Sequence, residues 1–457
     1  MNTILLRPTD ILFFRDGRPM SGSLAGHGAD WPLPNVINAA FHAALHRSGF
    51  ARDAHSHRRG ASGLYAEAAP RDRKFGSLVT AGPFPVKDGH TWFFPRPHDL
   101  QDATLQPALL PTDSFDSVQS SLSDPLEYAV ANRLPPSKES GVKTWLSREA
   151  FETYLGTAAA TITLAGLAEH ARDDSDLFDR EHTIGIGIDP ETGSQDGESF
   201  YSAHYLRLRE TWQLGVCAAA EDKAFKHEQH GKDLIVALLN GGQHQIIVGG
   251  QQRICSAMTV RGSTLPLPRG NTDGFNERDG RYLVKWILLT PAIWPAIDPE
   301  ARRSITAHTG GSLPNWVHPE TGEVLLKSGD VARRASESRE AWRQRVRQQG
   351  NIAARLVAAI VPKPLVVTGW SMPDEAGATD AERSGGAQSA HLAVPAGAVY
   401  YFEANSADEA RKLAAALNWH GDPKAADFAK TIKNRRSTLI GEKGFGLGVC
   451  GTWNFFP

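Results

Sequence analysis

The sequence predicts an α+β protein whose sheets are antiparallel. Three observations carry this. Two stretches read as hairpins: 84–95, with Lys87, Asp88 and Gly89 as the turn, and 182–208, with a polar, glycine-containing tip at 190–197. The apolar strand patterns at 3–7 and 282–290 each open a run of hairpins with a few helices, not an alternation of strand and helix. A length of 457 residues exceeds what one core usually serves, so the chain divides. Two tandem ferredoxin-like (RRM-like) βαββαβ units with loop and hairpin insertions suit this order better than a doubly wound sheet.

In chain order, a strand over 3–7 leads to Phe13, Phe14, Arg15, Asp16, Gly17 and Arg18, then to a Gly/Ser-rich loop. Asn35 is placed to cap a helix over 36–46. The His- and Arg-rich stretch 52–74 reads as a loop, and a short capped helix follows at 146–155. After the second hairpin, a helix over 233–239 and a strand over 245–248 complete the first unit, 1–265. Pro, Gly, Arg and Asn crowd 262–280, which reads as a linker. The second unit, 281–457, holds the strand 282–290, an apolar stretch at 356–369 and a strand at 398–403. It ends in a helix over 406–418 with Ser406 as cap and Asp408 and Glu409 in its first turn, then a glycine-rich loop 441–448 and a final strand. Segments 333–349, rich in arginine, and 371–391, poor in large apolar residues, read as insertions.

Composition narrows the function less. Lysine and arginine total 49 against 51 aspartates and glutamates, so bulk charge names no partner and any nucleic-acid surface must come from local clustering. Cys217, Cys255 and Cys450 lie far apart with no C-x-x-C pair, which argues for a reducing compartment. An early-interrupted apolar run at the N-terminus and the lack of a long apolar window make a cytoplasmic protein without membrane contact the expectation.

No Walker A, G-x-S-x-G or H-E-x-x-H sequence occurs. His227 and His230 are spaced wrongly for a zincin, and His55 and His57 have no further ligand nearby in sequence. The expectation is no catalytic residue, no metal and no cofactor. Gly446, Gly448 and Gly451 spell G-x-G-x-x-G, but the sequence after Gly451 leaves no room for the helix or the distant acidic residue of a dinucleotide site.

Anion-binding candidates are better supported. Arg15 and Arg18 flank a turn, which serves either to present guanidiniums beside glycine N–H groups or as a structural Arg–Asp pair. Gly249 and Gly250 precede Arg253 in the same manner. Lys433, Arg435 and Arg436, with Lys430, lie just ahead of Gly441, Lys443, Gly444, Gly446 and Gly448, which form either a phosphate cradle or a softened bend at a sheet edge. Tyr201, Tyr205, Phe445 and Trp453 are interleaved as stacking candidates, though such residues are more often core. Spread over two sheets, these turns suggest a track for a phosphate backbone.

In sequence order, Leu12-Phe-Phe-Arg-Asp-Gly-Arg-Pro19, Phe93-Phe-Pro-Arg-Pro97, Ile184-Gly-Ile-Gly-Ile-Asp-Pro-Glu-Thr-Gly193 with Phe200-Tyr-Ser202, Gly249-Gly-Gln-Gln-Arg253, Leu288-Leu-Thr-Pro-Ala292, Pro395-Ala-Gly-Ala-Val-Tyr-Tyr-Phe402 and Gly444-Phe-Gly-Leu-Gly448 resemble the third-subunit family of the type III-B (Cmr) CRISPR–Cas effector complex. That family belongs to the RAMP superfamily, in the group that holds the 5′ tag of the crRNA. The resemblance implies a non-catalytic RNA-binding scaffold that contacts crRNA, the large polymerase-like subunit and the first backbone RAMP subunit, and target RNA only indirectly. It also implies a thumb hairpin near 184–200, carrying Ile184, Ile186, Ile188, Asp189 and Thr192. Two alternatives stay open. One is a RAMP endoribonuclease that processes pre-crRNA with His27, His42 or His46 near its site; the other is a purely protein-binding scaffold.

Overall fold

The computed structural model describes residues 1–15, 24–26, 29–48, 78–100, 108–111, 126–131, 143–156, 165–221, 233–240, 244–262, 264–298, 307–329, 331, 333–334, 336–371, 386–387, 389–421, 430–436 and 439–454. Arg18, His27, His55, His57, His227, His230, the 52–74 stretch and most of 371–391 lie outside them.

The first sheet grows around β1 (Asn2–Pro8), whose residues alternate between two cores: Ile4 and Leu6 face one side, Leu5 the other. Helix α1 (Pro34–Arg47) follows, then the hairpin β2 (Val79–Lys87) and β3 (Thr91–Pro95), whose turn carries positive φ at Asp88 and Gly89 as the sequence predicts. Helix α1 starts earlier than its sequence suggests. Pro34 occupies the first turn, where its missing N–H costs nothing, and Leu33 is the N-cap with no side-chain bond, so Asn35 lies inside the helix and does not cap it. Ile37, Phe41, Ala44 and Leu45, spaced three and four apart, bury one face of α1 on the sheet.

Helix α2 (Arg148–Leu155) opens on Ser147, whose Oγ accepts from the Ala150 N–H at 3.3 Å, and closes on Gly156 in the left-handed region. The long ribbon β4 (Phe178–Ile188) and β5 (Gln195–Leu208) precedes β6 (Trp212–Ala219). Asp233 caps α3 (Leu234–Leu239), and β7 (His244–Ile247) and β8 (Ile254–Val260) end this half. The sheet core runs β8-β1-β6-β2, all antiparallel, with β7 outside β8 and β3 outside β2.

The second sheet repeats that connectivity. Strand β9 (Arg281–Leu288), the exposed helix α4 (Arg339–Gln348), β10 (Ala354–Ile360), β11 (Val399–Ala404), α5 (Ala407–Leu417) and β12 (Gly448–Thr452) assemble in the order β12-β9-β11-β10. In both sheets the fourth of these strands lies beside the first, then the third, then the second. Ser406 Oγ accepts from the Glu409 N–H at 3.2 Å, and Ala410, Leu413, Ala414 and Leu417 form the buried face of α5.

The two sheets pack face to face. Leu5, Phe84 and Val86 meet Ile287, Leu289, Tyr401 and Val449 in a shared core into which α2 inserts Phe151 and Tyr154. Helices α1 and α3 cover the outer face of the first sheet, and α5 the outer face of the second. The stretch read as a linker is a packed crossover: Leu265 and Leu267 are buried, the Gly270 N–H donates to His420 Nε2 at 3.1 Å, and the Asn271 N–H to the Cys450 carbonyl at 2.8 Å. Its Pro and Gly content reflects the tight path it takes between the sheets. No helix among the described residues is long and apolar enough to cross a membrane.

Candidate nucleic-acid interface

The ribbon β4–β5 leaves the first sheet as a small sheet of its own, joined by Leu24–Gly26. Glycines at 185 and 187 alternate with Ile184, Ile186 and Ile188, whose side chains are 61%, 50% and 65% exposed on one face of the edge strand. At the tip, the Asp189 carboxylate accepts from the Glu191 N–H at 2.8 Å, which holds its pKa below the ordinary value. Thr192 and Ser194 share a 2.8 Å hydroxyl contact, and Gly193 supplies the positive φ that closes the turn.

At its base the ribbon is held by charge. Arg180 pairs with Asp30 at 2.8 Å, Arg209 with Asp179 at 2.8 Å, and Arg207 with Asp10 at 2.9 Å and with Glu181. The rings of His182 and His204, directly opposite in register, stack with centroids 4.5 Å apart.

The Gly249–Arg253 turn packs against this base. The Gly250 N–H donates to the Phe13 carbonyl at 2.9 Å, and a side chain at Gly249 would collide with Phe14. Gln251 takes a positive φ that lets its Oε1 accept from Tyr205 at 2.9 Å and Arg253 at 3.2 Å. The Arg253 guanidinium lies 5.2 Å from the Tyr205 ring centre and 4.0 Å from Asp10, so it is partly committed within the fold. Arg15 is exposed at the end of the Phe13–Phe14 segment. Thus Arg15, Gly249, Gly250 and Arg253, scattered in sequence, meet at the root of the ribbon.

The glycine-rich segment sits elsewhere and does different work. Gly441, Gly444, Gly446 and Gly448 are buried. Gly444 has φ +105° and its bare α-carbon faces Pro34 and the Thr80 carbonyl, while the Gly446 N–H donates to the Pro291 carbonyl at 2.8 Å. Gly448, in β12, lets the Trp286 indole lie against the strand. The Lys443 carbonyl accepts from Thr80 Oγ1 at 3.1 Å. Gly444 admits close packing between the two halves, and Gly446 and Gly448 close packing within the second, so the cradle reading of their N–H groups gives way to the bend reading.

The arginines ahead of them are likewise turned inward. Arg435 donates to the Thr80 carbonyl at 2.8 Å and the Gly441 carbonyl at 3.0 Å; Arg436 donates to the Ala416 carbonyl at 2.6 Å. Burial pushes both guanidiniums down to about 10. Their role as phosphate ligands is therefore corrected to that of clamps on backbone carbonyls. Lys433 is exposed, with its N–H bound to the Trp419 carbonyl at 2.8 Å. Phe445 and Trp453 belong to the core, and Tyr205 is buried at the ribbon's base.

Sequence reasoning missed Asp30, Trp31, Arg180, Arg207 and Arg209. The three arginines lie at the open end of the predicted hairpin, and pairing its strands gathers them there. Beside Asp30 of this base opens a cleft of about 770 Å³, walled by Trp31, Phe84 and Trp145 from the first half and Leu289, Pro291 and Pro364 from the second. No cluster of three or more metal-ligating side chains occurs among the described residues.

Two antiparallel sheets packed face to face with a projecting ribbon fit the class of RAMP-type CRISPR subunits. The family model of the CRISPR-associated protein Cas_Cmr3 matches residues 4–453, so the chain belongs to that family of type III Cmr subunits. No curated protein matches it in sequence. Among solved structures, a chain of the type III-B Cmr-beta complex bound to cognate target RNA is similar at 12% identity and a TM-score of 0.40, over 87% of this chain and 86% of that one. A chain of the Csm3–Csm4 subcomplex of the type III-A interference complex is similar at 9% identity and a TM-score of 0.33, over 88% and 92%.

Proposed function

We propose that this chain is a non-catalytic RNA-binding subunit of a type III-B CRISPR ribonucleoprotein. It anchors the 5′ tag of the crRNA and bridges the large polymerase-like subunit to the first backbone subunit, meeting target RNA only indirectly. The observation that carries this reading is the convergence of Arg15 and the Gly249–Arg253 turn on the root of a long ribbon with an exposed isoleucine face. Arg15 supplies an exposed phosphate ligand, the glycine turn lets backbone approach closely, and Ile184, Ile186 and Ile188 form an apolar wedge of the kind that separates stacked bases. The shared strand order of the two sheets, fourth-first-third-second, supports reading each as a ferredoxin-like unit.

The test places purified protein with end-labelled guide RNA bearing the repeat-derived tag, beside a tagless control, with and without divalent metal. Tag-dependent binding without cleavage is the expected result. Discrete cleavage within the repeat overturns the non-catalytic reading in favour of a processing enzyme. Deleting 190–197 leaves the fold intact and weakens guide anchoring; unchanged guide loading in the assembled complex counts against the ribbon as thumb.

A further inference from the structure

Helix α4 (Arg339–Gln348) buries none of its residues. Only Trp342, Arg345 and Val346 of this ten-residue helix are even half-buried, so it gains little from tertiary packing and is marginal by itself. Three local devices hold it. Ser338 Oγ accepts from the Ala341 N–H at 3.1 Å, Glu337 pairs with Arg345 at 2.8 Å, and the Trp342 indole N–H donates to the Val331 carbonyl at 2.9 Å. Arg345 is thereby used internally. Arg339, Arg343 and Arg347 are exposed and make no ion pair with any described residue. Arg339 stands in the first turn, where the helix dipole disfavours a cation.

We propose that Arg339, Arg343 and Arg347 form a stripe that holds the sugar–phosphate backbone of a single-stranded nucleic acid, on a surface separate from the ribbon. At four-residue spacing the three guanidiniums share one helix face and follow one another at about 6 Å along the axis. That interval suits successive phosphates of an extended strand, and guanidinium forks match phosphate oxygens. An acidic protein partner fits less well. Protein interfaces centre on buried apolar anchors, and the aromatic residue of this helix, Trp342, is turned back onto its own chain. The stripe reads no bases, so its binding is indifferent to the crRNA tag and stands or falls independently of the tag-anchoring reading.

The test measures binding of the full chain to tagless uridine RNA and to thymidine DNA homopolymers across a salt series. Wild type is compared with the R339Q/R343Q/R347Q and R339K/R343K/R347K triples. Loss of three phosphate contacts flattens the log–log salt dependence by about two on single strands, equally for tagged and tagless RNA, whereas the lysine triple keeps the wild-type slope. Both triples keep the wild-type melting temperature, since no buried group changes. Equal binding of RNA and DNA fits a pure backbone reader, and RNA alone adds a contact to the 2′-hydroxyl. An unchanged slope in the glutamine triple, no binding of either homopolymer by wild type at low salt, or equal binding of a polyglutamate peptide overturns the proposal.

Discussion

The Lys285 ammonium lies 3.6 Å from the Asp99 carboxylate in the interior between the two sheets, and both side chains are shut off from water. Tyr154 donates to Asp99 at 2.5 and 2.7 Å and Tyr401 at 3.0 Å, so one carboxylate gathers donors from α2, β9 and β11. Burial pushes Lys285 down to about 8 against the opposing pull of Asp99. Removing Asp99 leaves a cation with no anion in a closed core. Asp99→Ala is expected to cost about 3–5 kcal/mol, read from urea unfolding. Lys285→Met, which leaves Asp99 its two tyrosine donors, costs less. An Asp99→Ala protein that unfolds at the wild-type midpoint would show that the pair does not bind the halves together.

His420 donates from Nδ1 to the Gly421 carbonyl at 2.9 Å and accepts at Nε2 from the Gly270 N–H at 3.1 Å, which only the neutral ring can do. Burial lowers its pKa below 6.5, and His308 is lowered for the same reason. The unfolded chain then binds more protons than the fold, so stability is full above about 6.5 and falls as pH drops through the lowered folded value. Melting temperatures across that range should show the decline, and His420→Gln should flatten it. A His420→Gln profile parallel to wild type assigns the pH dependence to other groups.

An alanine at 448 would press its methyl into the Trp286 indole and the Ile287 carbonyl. Gly448→Ala should therefore destabilise by about 1–3 kcal/mol through overpacking. A melt shows the loss directly. If the variant instead folds normally but releases RNA, the glycine serves the ligand rather than the core.

Arg435 and Arg15 are both candidate phosphate ligands in sequence, but they predict opposite phenotypes. Arg435→Gln strips bonds from the Thr80 and Gly441 carbonyls and should lower the melting temperature. Arg15→Gln, at an exposed position, should leave stability within about 0.5 kcal/mol and flatten the salt dependence of guide binding by about 0.7. The reverse pattern would return Arg435 to the interface.

Much of the fold is legible in the chain. The caps at Ser147, Asp233 and Ser406 lie where short polar side chains precede apolar spacing, and the turn at Asp88–Gly89 is explicit. Local hydrogen-bond chemistry suffices for these. The start of α1 differs from the sequence expectation because Pro34 ahead of Asn35 also opens a helix, and the proline's fixed φ prevails over the cap. The candidate site was half legible. Arg15, Gly249, Gly250 and Arg253 come together, whereas Arg435 and Gly444 are drawn into the packing between the halves, and Arg436, Gly446 and Gly448 into that of the second half. A glycine next to a cation looks the same in sequence whether it admits a phosphate or another strand.

The amino-acid sequence by itself determined the antiparallel α+β character, the long ribbon with its isoleucine–glycine alternation and the family of the chain, because each depends on residues close together or on motifs in a set order. Only the tertiary structure decided that the two sheets share one core, that 264–275 is a packed crossover, and which arginines face water. Burial is a property of what lies opposite a side chain. For Arg435 that partner is Thr80, 355 positions away along the chain.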